Sequence, residues 1–179
     1  LRTPMNAIIG FGQVLEHDPQ LSSDARDSVS EILKAGHHLL ELINEVLDLA
    51  RVESGGMEMD LQDVPVAPMV EECLQLTEVL AREARVHTRH QAVEETTVRA
   101  DRRRLKQVLI NLVSNAIKYN RTDGRVEVTT TTLPPNRVRI AVTDTGAGIA
   151  PEHLDQVFQP FNRLHMDSNA SEGTGIGLT

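Results

Sequence analysis

The sequence predicts a helical hairpin that pairs into a dimeric four-helix bundle, followed by an α+β two-layer sandwich. Through the first part of the chain, apolar residues recur at alternating four- and three-residue steps, as they do in bundle helices. From residue 57 on, alternating β-branched stretches mix with helical ones, which is typical of helices packed on a sheet. Glycines and polar residues dominate from residue 145 on, which predicts a loop-rich end.

The first predicted helix carries a seam of apolar and small residues, widened by Ile9. The segment from His17 to Ser23 contains Asp18-Pro19 and a pair of serines, which are turn and N-cap residues. This segment should therefore separate the first helix from a second. The seam consists of Leu1, Met5, Ile8, Gly12 and Leu15.

The second helix is the most clearly periodic part of the chain. Its seam is accompanied by leucines that recur every seven residues, so its apolar face is too wide for a lone hairpin. A second copy of the hairpin would cover that face and give a homodimer, and packing onto the rest of the same chain is the alternative. The seam is Ile32, Gly36, Leu39, Ile43, Val46 and Ala50, and the accompanying leucines are Leu33, Leu40 and Leu47.

We predict a domain boundary at Ser54-Gly55-Gly56, between a dimerisation hairpin at 1–55 and a second domain at 56–179. In that domain Asp101 should cap a helix that runs to about Tyr119. Helices should cover one face of a mostly antiparallel sheet. The predicted strands are 57–64, 86–90, 96–100, 125–132 and 137–143, the last two joined by a turn at 133–136, and a further helix is predicted over 69–84.

Composition excludes several classes of protein. The net charge of −8 and the low aromatic content of 2% argue against nucleic-acid binding, which needs basic surfaces and stacking platforms. A single cysteine, Cys73, allows neither an internal disulfide nor a cysteine-built zinc site and fits a reducing cytoplasmic setting. No apolar run approaches the roughly 20 residues needed to cross a bilayer, so any membrane segment should lie outside this chain.

Three local motifs suggest nucleotide chemistry, although each has an ordinary structural explanation by itself. Asp144 to Ile149 places a carboxylate and two glycines directly after a strand, where a plain turn is the alternative. Gly173 to Leu178 could aim backbone N–H groups at phosphates or serve as a flexible linker. Asn111, Asn115 and Lys118 share one helix face, which could hold Mg²⁺ and phosphate or be a solvated polar face.

In combination these motifs resemble the signature set of the sensor histidine kinases of two-component systems. Leu1-Arg2-Thr3-Pro4, Asn111 to Tyr119, Asp144 to Ile149, Phe158-Gln159-Pro160-Phe161 and Gly173 to Leu178 follow in the family's order and span nearly the whole chain. The resemblance implies an ATP-binding domain with ATP and Mg²⁺ as ligands. It also implies autophosphorylation on a histidine, followed by transfer to an aspartate of a response-regulator receiver domain.

The resemblance also implies roles for residues at matching positions. Asn115 would ligate Mg²⁺ with Asn111 beside it, Asp144 would read adenine through its exocyclic amine, and Thr3 would help orient water for dephosphorylation of the regulator. The remaining nucleotide-binding residues implied by the family are Lys118, Tyr119, Gly146, Gly148, Ile149, Phe158, Phe161, Arg163, Gly173, Thr174, Gly175, Gly177 and Leu178.

The family places its phosphoacceptor histidine and an acidic residue immediately before the Leu-Arg-Thr-Pro motif. These two residues would therefore precede Leu1, and none of the seven histidines present has this context. We accordingly expect a chain that is cut short at both ends, binds ATP and lacks its own acceptor. In this interpretation the incomplete end of the ATP-binding domain lies beyond Thr179.

Two other functions are open on the sequence. One is a non-catalytic dimeric scaffold that holds nucleotide, a class that has no need of a complete motif set. The other is ATP hydrolysis, as in the gyrase and heat-shock chaperone ATPases that share this nucleotide fold. Those enzymes carry a glutamate base at the position of Asn111, and an asparagine cannot act as a general base.

Overall fold

The structure, a computed structural model, describes residues 2–54, 58–92 and 96–159. The chain divides into two compact units, Leu1–Met57 and Glu58–Thr179, each with its own buried cluster. In the described part of the chain, no helix combines the length and the apolar character needed to cross a membrane.

The first unit is the predicted helical hairpin. Helix α1 (Arg2–Glu16) and helix α2 (Ser23–Glu53) are joined by a turn at residues 17–22. In the turn the Asp18 carboxylate accepts from the backbone N–H of Gln20 at 2.8 Å, and the Ser22 hydroxyl accepts from the N–H of Ala25 at 3.3 Å. The side-chain oxygens therefore satisfy backbone donors where the helical ladder is interrupted, as N-cap and turn residues do.

Small residues let the two helices approach closely. Met5, Ile9 and Gly12 are buried on α1. A Cβ added at Gly12 would lie 2.7 Å from Cδ2 of Leu33, and one added at Gly36 would lie 3.2 Å from Cγ1 of Ile9. A methyl group at either position would therefore require the Leu33 or Ile9 side chain to shift.

The predicted seams correspond only partly to the face that closes the hairpin. Burial selects Ile9, Val29 and Leu33, whereas several predicted seam residues lie outside this contact. The apolar stripe is wider than the contact between the two helices. One part of it packs against the other helix of the hairpin, and the rest remains exposed. The large apolar side chains left exposed on the two helices are Ile8, Phe11, Val14, Leu15, Ile32, Leu39, Val46 and Leu47.

The second unit is an α/β arrangement with two small sheets among the described residues. Strands β1 (Leu61–Pro65) and β3 (Thr97–Asp101) form an antiparallel ribbon. Strands β2 (His87–Ala92), β4 (Arg125–Leu133) and β5 (Arg137–Asp144) form a second sheet in the order β2-β4-β5. The β2–β4 pairing is parallel and the β4–β5 pairing is antiparallel, so two of the three pairings agree with the predicted antiparallel sheet.

Helices cover one face of the larger sheet, as predicted. The helices are α3 (Val66–Leu76), α4 (Glu78–Glu83) and α5 (Arg102–Lys118), and a short 3₁₀ helix follows at Pro151–Gln156. Val126 and Val128 of β4 are fully buried against the helix layer. The helical residues buried in the same cluster are Val66, Met69, Val70, Cys73, Ala81, Leu109, Val113, Ala116 and Ile117.

The helix predicted over 69–84 is two helices, so this prediction was wrong in detail. The break falls at Thr77, whose buried hydroxyl donates to the carbonyl oxygens of Cys73 at 3.0 Å and Leu74 at 3.2 Å. Threonine hydroxyls that bond back to the preceding turn compete with the helical ladder and favour an interruption. Helix α3 also begins three residues earlier than predicted, because Pro68 lies in the first turn, where its missing N–H costs nothing.

Asp101 caps α5, as predicted. One of its carboxylate oxygens accepts from the N–H of Arg104 at 3.1 Å, and the other accepts from the N–H of Asp60 at 3.2 Å. These donors favour the charged carboxylate, so the bond from Arg104 above all holds the pKa of Asp101 below its usual range. The cap fixes where the helix that carries the predicted asparagines begins.

Replacing Asp101 by alanine should lower the melting temperature at pH 7 by on the order of 5 °C, because α5 loses its N-cap. The lowered pKa means that the contribution of this carboxylate is complete above its unfolded pKa and disappears as pH falls through the folded value. The difference between Asp101→Ala and wild type in denaturant unfolding should therefore shrink in acid. Asp63→Ala, at an exposed position on β1, is the control that should show neither effect.

Candidate functional site

Helix α5 presents a polar face with the three residues singled out from the sequence. Asn111 and Asn115 are half-buried and Lys118 is exposed, whereas Leu109 and Val113 face the core. Val108, by contrast, is 53% exposed. It precedes Asn111 by three residues and Asn115 by seven, and helical periodicity places residues at these spacings on one side.

Asp144 lies at the carboxyl end of β5, opposite Val126 of β4. It is exposed, and its Oδ1 accepts from the N–H of Gly146 at 2.7 Å, which closes a local turn. The second carboxylate oxygen has no hydrogen-bond partner among the described residues. Asp144 therefore offers one fixed oxygen and one available acceptor at the edge of the sheet.

Gly146 meets the carboxyl end of α5. A Cβ at this position would overlap the carbonyl oxygen of Tyr119 and lie 2.9 Å from Oδ1 of Asp144. Tyr119 is the C-cap residue of α5, and its N–H donates to the carbonyl of Asn115 at 3.0 Å. The crowding at Gly146 in this structure comes from the end of α5.

Gly148 and Ile149 complete the motif. Gly148 has φ of +72°, in the left-handed region that side chains with a Cβ adopt only with strain, and the space around it is open. Ile149 is 46% exposed. The backbone conformation therefore requires glycine at position 148. Ile149, in the same sequence motif as Asp144, exposes an apolar side chain.

Two polar residues, one within and one next to these motifs, were given no role in the sequence analysis. Asn120 follows Tyr119 and Thr145 follows Asp144, and the Thr145 hydroxyl donates to Oδ1 of Asn120 at 3.0 Å. The bond joins the end of α5 to the loop after β5. The only sequence signal was an asparagine at a helix end, where such residues are common for local reasons.

Two other predicted site residues, Phe158 and Thr3, are exposed in the described structure. Phe158 is 70% exposed after the 3₁₀ helix, and Thr3 is exposed on α1, in the first unit. The remaining candidates lie outside the described residues. They are Phe161, Arg163, Gly173, Thr174, Gly175, Gly177 and Leu178.

An open cleft of about 800 Å³ lies at the other end of α5. Three of its charged groups form ion pairs, since Glu72 accepts from Lys106 at 2.6 Å and from Arg102 at 2.5 Å. The bond from Lys106 lowers the pKa of Glu72 below its usual range. These ion pairs join α3 to α5, and we therefore place the candidate site at the carboxyl end of α5.

Comparison with known families matches both units. The family described as "His Kinase A (phospho-acceptor) domain" matches residues 1–55. The family described as "Histidine kinase-, DNA gyrase B-, and HSP90-like ATPase" matches residues 100–179, which include α5 and the Asp144 motif.

Individual proteins agree with these matches. An uncharacterised sensor-like histidine kinase of Rhizobium meliloti is 39% identical across 100% of this chain, which spans about a third (35%) of that relative. The structure of ShkA with AMPPNP has a TM-score of 0.84 at 31% identity, covering 99% of this chain and 36% of that one. The catalytic domain of the histidine kinase ThkA has a TM-score of 0.57 at 32% identity, covering 68% of this chain and 76% of that domain.

Proposed function

This chain belongs to the histidine kinase family, and on that premise we propose that it is a two-component kinase core that binds ATP with Mg²⁺ and directs the γ-phosphoryl group to a histidine. The observation that carries the proposal is the joint at which Gly146 meets Tyr119. This joint brings the end of the asparagine-bearing helix against the loop that follows Asp144.

The adenine end of the proposed site is Asp144. Its free carboxylate oxygen can accept from the exocyclic amine of adenine, whereas guanine presents a carbonyl oxygen at the same place. Two acceptors facing each other repel, so the arrangement selects adenine over guanine. We assign Ile149, which is 46% exposed, to the apolar contact with the base, and Gly148 has open space around it.

The phosphate end of the proposed site is the polar face of α5. The carboxamide oxygen of Asn115 is a suitable hard ligand for Mg²⁺, and its half-buried position on a capped helix holds it in place. A bound Mg²⁺ would neutralise charge on the phosphates. Lys118, three residues on, adds a cation, and we assign Arg163 and the glycines at 173, 175 and 177 to the same end on the family pattern.

Catalysis in this proposal is mainly positioning, because phosphoryl transfer needs alignment and charge neutralisation more than covalent help. Asn111 occupies the place where the related ATPases carry a glutamate base. Asparagine cannot take a proton from water. A site with Asn111 at this position therefore favours transfer to a histidine over hydrolysis. Thr3 is proposed to orient water when the phosphorylated regulator is hydrolysed, and Phe158 and Phe161 to anchor a cover over the nucleotide.

We further propose that the hairpin forms a homodimeric four-helix bundle that docks a response-regulator receiver domain. The support for the dimer is the set of exposed apolar side chains on both helices, including Phe11 at 72% and Ile32 at 52% exposed. A two-fold axis would bury the same patch from each copy. The support for the partner is the histidine kinase ThkA, whose structure with the response regulator TrrA covers 90% of this chain with a TM-score of 0.61 at 26% identity.

Calorimetric titration of ADP and GDP, each with Mg²⁺ and again with EDTA, tests the proposal. We expect ADP to bind at least roughly tenfold more tightly than GDP, and more tightly with Mg²⁺ than without. Equal affinity for the two nucleotides would overturn the role of Asp144, and no binding of either would overturn the nucleotide site. Labelling of the full-length protein with γ-labelled ATP should give an acid-labile, alkali-stable phosphoryl group.

A further inference from the structure

We propose that Thr145 and Asn120 are positioning residues that fix the orientation of Asp144 and thereby set selectivity for the 6-amino group of the purine. The inference rests on the nucleotide site proposed above. It concerns two side chains that need not touch the nucleotide and that act through Asp144.

The Asn120 side chain makes four hydrogen bonds within the protein. Its Nδ2 donates to the carbonyl oxygens of Ala116 and Arg125, both at 3.0 Å. Its Oδ1 accepts from the N–H of Arg121 and from the hydroxyl of Thr145, both at 3.0 Å. A carboxamide has two N–H donors and two acceptor positions, so every bonding capacity of this side chain is spent on holding α5, β4 and the loop together.

Thr145 is tied to the same junction at three points. Its hydroxyl accepts from the N–H of Arg125 at 2.9 Å while donating to Asn120. Its own N–H donates to the carbonyl oxygen of Arg125 at 3.2 Å. The hydroxyl thus both donates and accepts within the protein, and its bonds fix the backbone between Asp144 and Gly146.

That backbone determines where the Asp144 carboxylate points. Oδ1 of Asp144 is held by the N–H of Gly146, one residue beyond Thr145, at 2.7 Å. If the Thr145 backbone turns, this N–H moves and releases the carboxylate, which is exposed and has no other partner among the described residues. Hydrogen bonds weaken steeply when misaligned, so a freely rotating carboxylate would read the amine poorly.

The test compares ADP with IDP, which carries a carbonyl oxygen in place of the 6-amino group. Thr145→Val preserves shape and removes both hydroxyl bonds. We expect ADP affinity to fall about tenfold in this variant. IDP affinity should change by less than about twofold, because IDP cannot donate to Asp144 from that position. Thr145→Ser retains the hydroxyl and should restore the wild-type ratio of the two affinities.

Melting temperatures separate this result from a general loss of structure, because a merely structural role would weaken ADP and IDP binding together. If Thr145→Val does not fold, Thr145→Ala removes the hydroxyl without adding a methyl group against Asn120, and the same ratio is measured. A wild-type ADP-to-IDP ratio in the hydroxyl-lacking variant would overturn the inference and leave the nucleotide site standing. A wild-type protein that binds neither nucleotide would overturn the proposed function and the inference with it.

Discussion

Asp144→Asn should lower the affinity for Mg²⁺·ADP by about a hundredfold, since it removes a charged acceptor and points an amide donor at the amine of adenine. Its effect on folding should be small, because the side chain is exposed at the end of β5 and an asparagine oxygen can still accept from Gly146. We expect the melting temperature to stay within about 1–2 °C of wild type, as is usual for exposed substitutions.

The most specific test of this prediction is calorimetry that compares the affinities for ADP and IDP. The variant should lose its preference for ADP. It presents an amide donor to the purine, which repels the 6-amino group of ADP but can donate to the 6-carbonyl oxygen of IDP. Asp63→Asn makes the same chemical change at an exposed position on β1 and should bind ADP as wild type does. Wild-type ADP affinity in Asp144→Asn would remove this residue from the nucleotide site.

Leu39→Lys should convert the protein from a dimer to a monomer. Leu39 is 46% exposed on α2, next to other exposed apolar residues, and it lies outside the contact between α1 and α2. In a two-fold bundle the substitution occurs twice per dimer. Losing the burial of two leucine side chains costs about 3–6 kcal/mol, which raises the dissociation constant at least roughly a hundredfold.

Light scattering at micromolar concentration measures the outcome directly, and circular dichroism should show that the helices persist. Asp27→Lys is the matched control, because it introduces the same side chain at an exposed polar position of α2, about 120° around the helix from Leu39. The control should keep the wild-type mass. A Leu39→Lys variant of wild-type mass would refute the dimer interface proposed for this stripe.

The elements that could be predicted from the sequence were those with a strong local signal. The cap at Asp101, the four-three repeat of the hairpin helices and the turn at 133–136 each depend on residues close in the chain, and all are present. The break at Thr77 could not be predicted, because the surrounding apolar pattern continues through it and the hydroxyl bonds that mark it form only in the folded turn.

The hairpin seams show a different limit. A period near 3.5 residues identifies an apolar stripe but not which edge of that stripe meets the neighbouring helix. Ile8 and Leu39 follow the repeat as well as Ile9 and Leu33 do, yet only the latter pair is buried in the hairpin. The useful clue was the pair of glycines at 12 and 36, since close helix contacts require small residues.

At the candidate site, the sequence indicated the residue types and the structure supplied their connections. Asn115 and Asp144 could be singled out because their spacing and context match a family pattern. Asn120 and Thr145 could not, because their importance depends on a contact across 25 positions in the chain. The contact between Gly146 and the carbonyl of Tyr119 could not be predicted either, because it joins two elements that are distant in the sequence.

The separation of the hairpin's inner and outer faces has an evolutionary consequence. The glycines at 12 and 36 and the side chains that they meet determine how one copy folds, whereas the exposed stripe contributes little to that contact. Substitutions at Ile32 or Phe11 can therefore accumulate without unfolding the hairpin. Duplicated copies of such a gene could diverge along the outer stripe until each product pairs only with itself, which would insulate one signalling pathway from another.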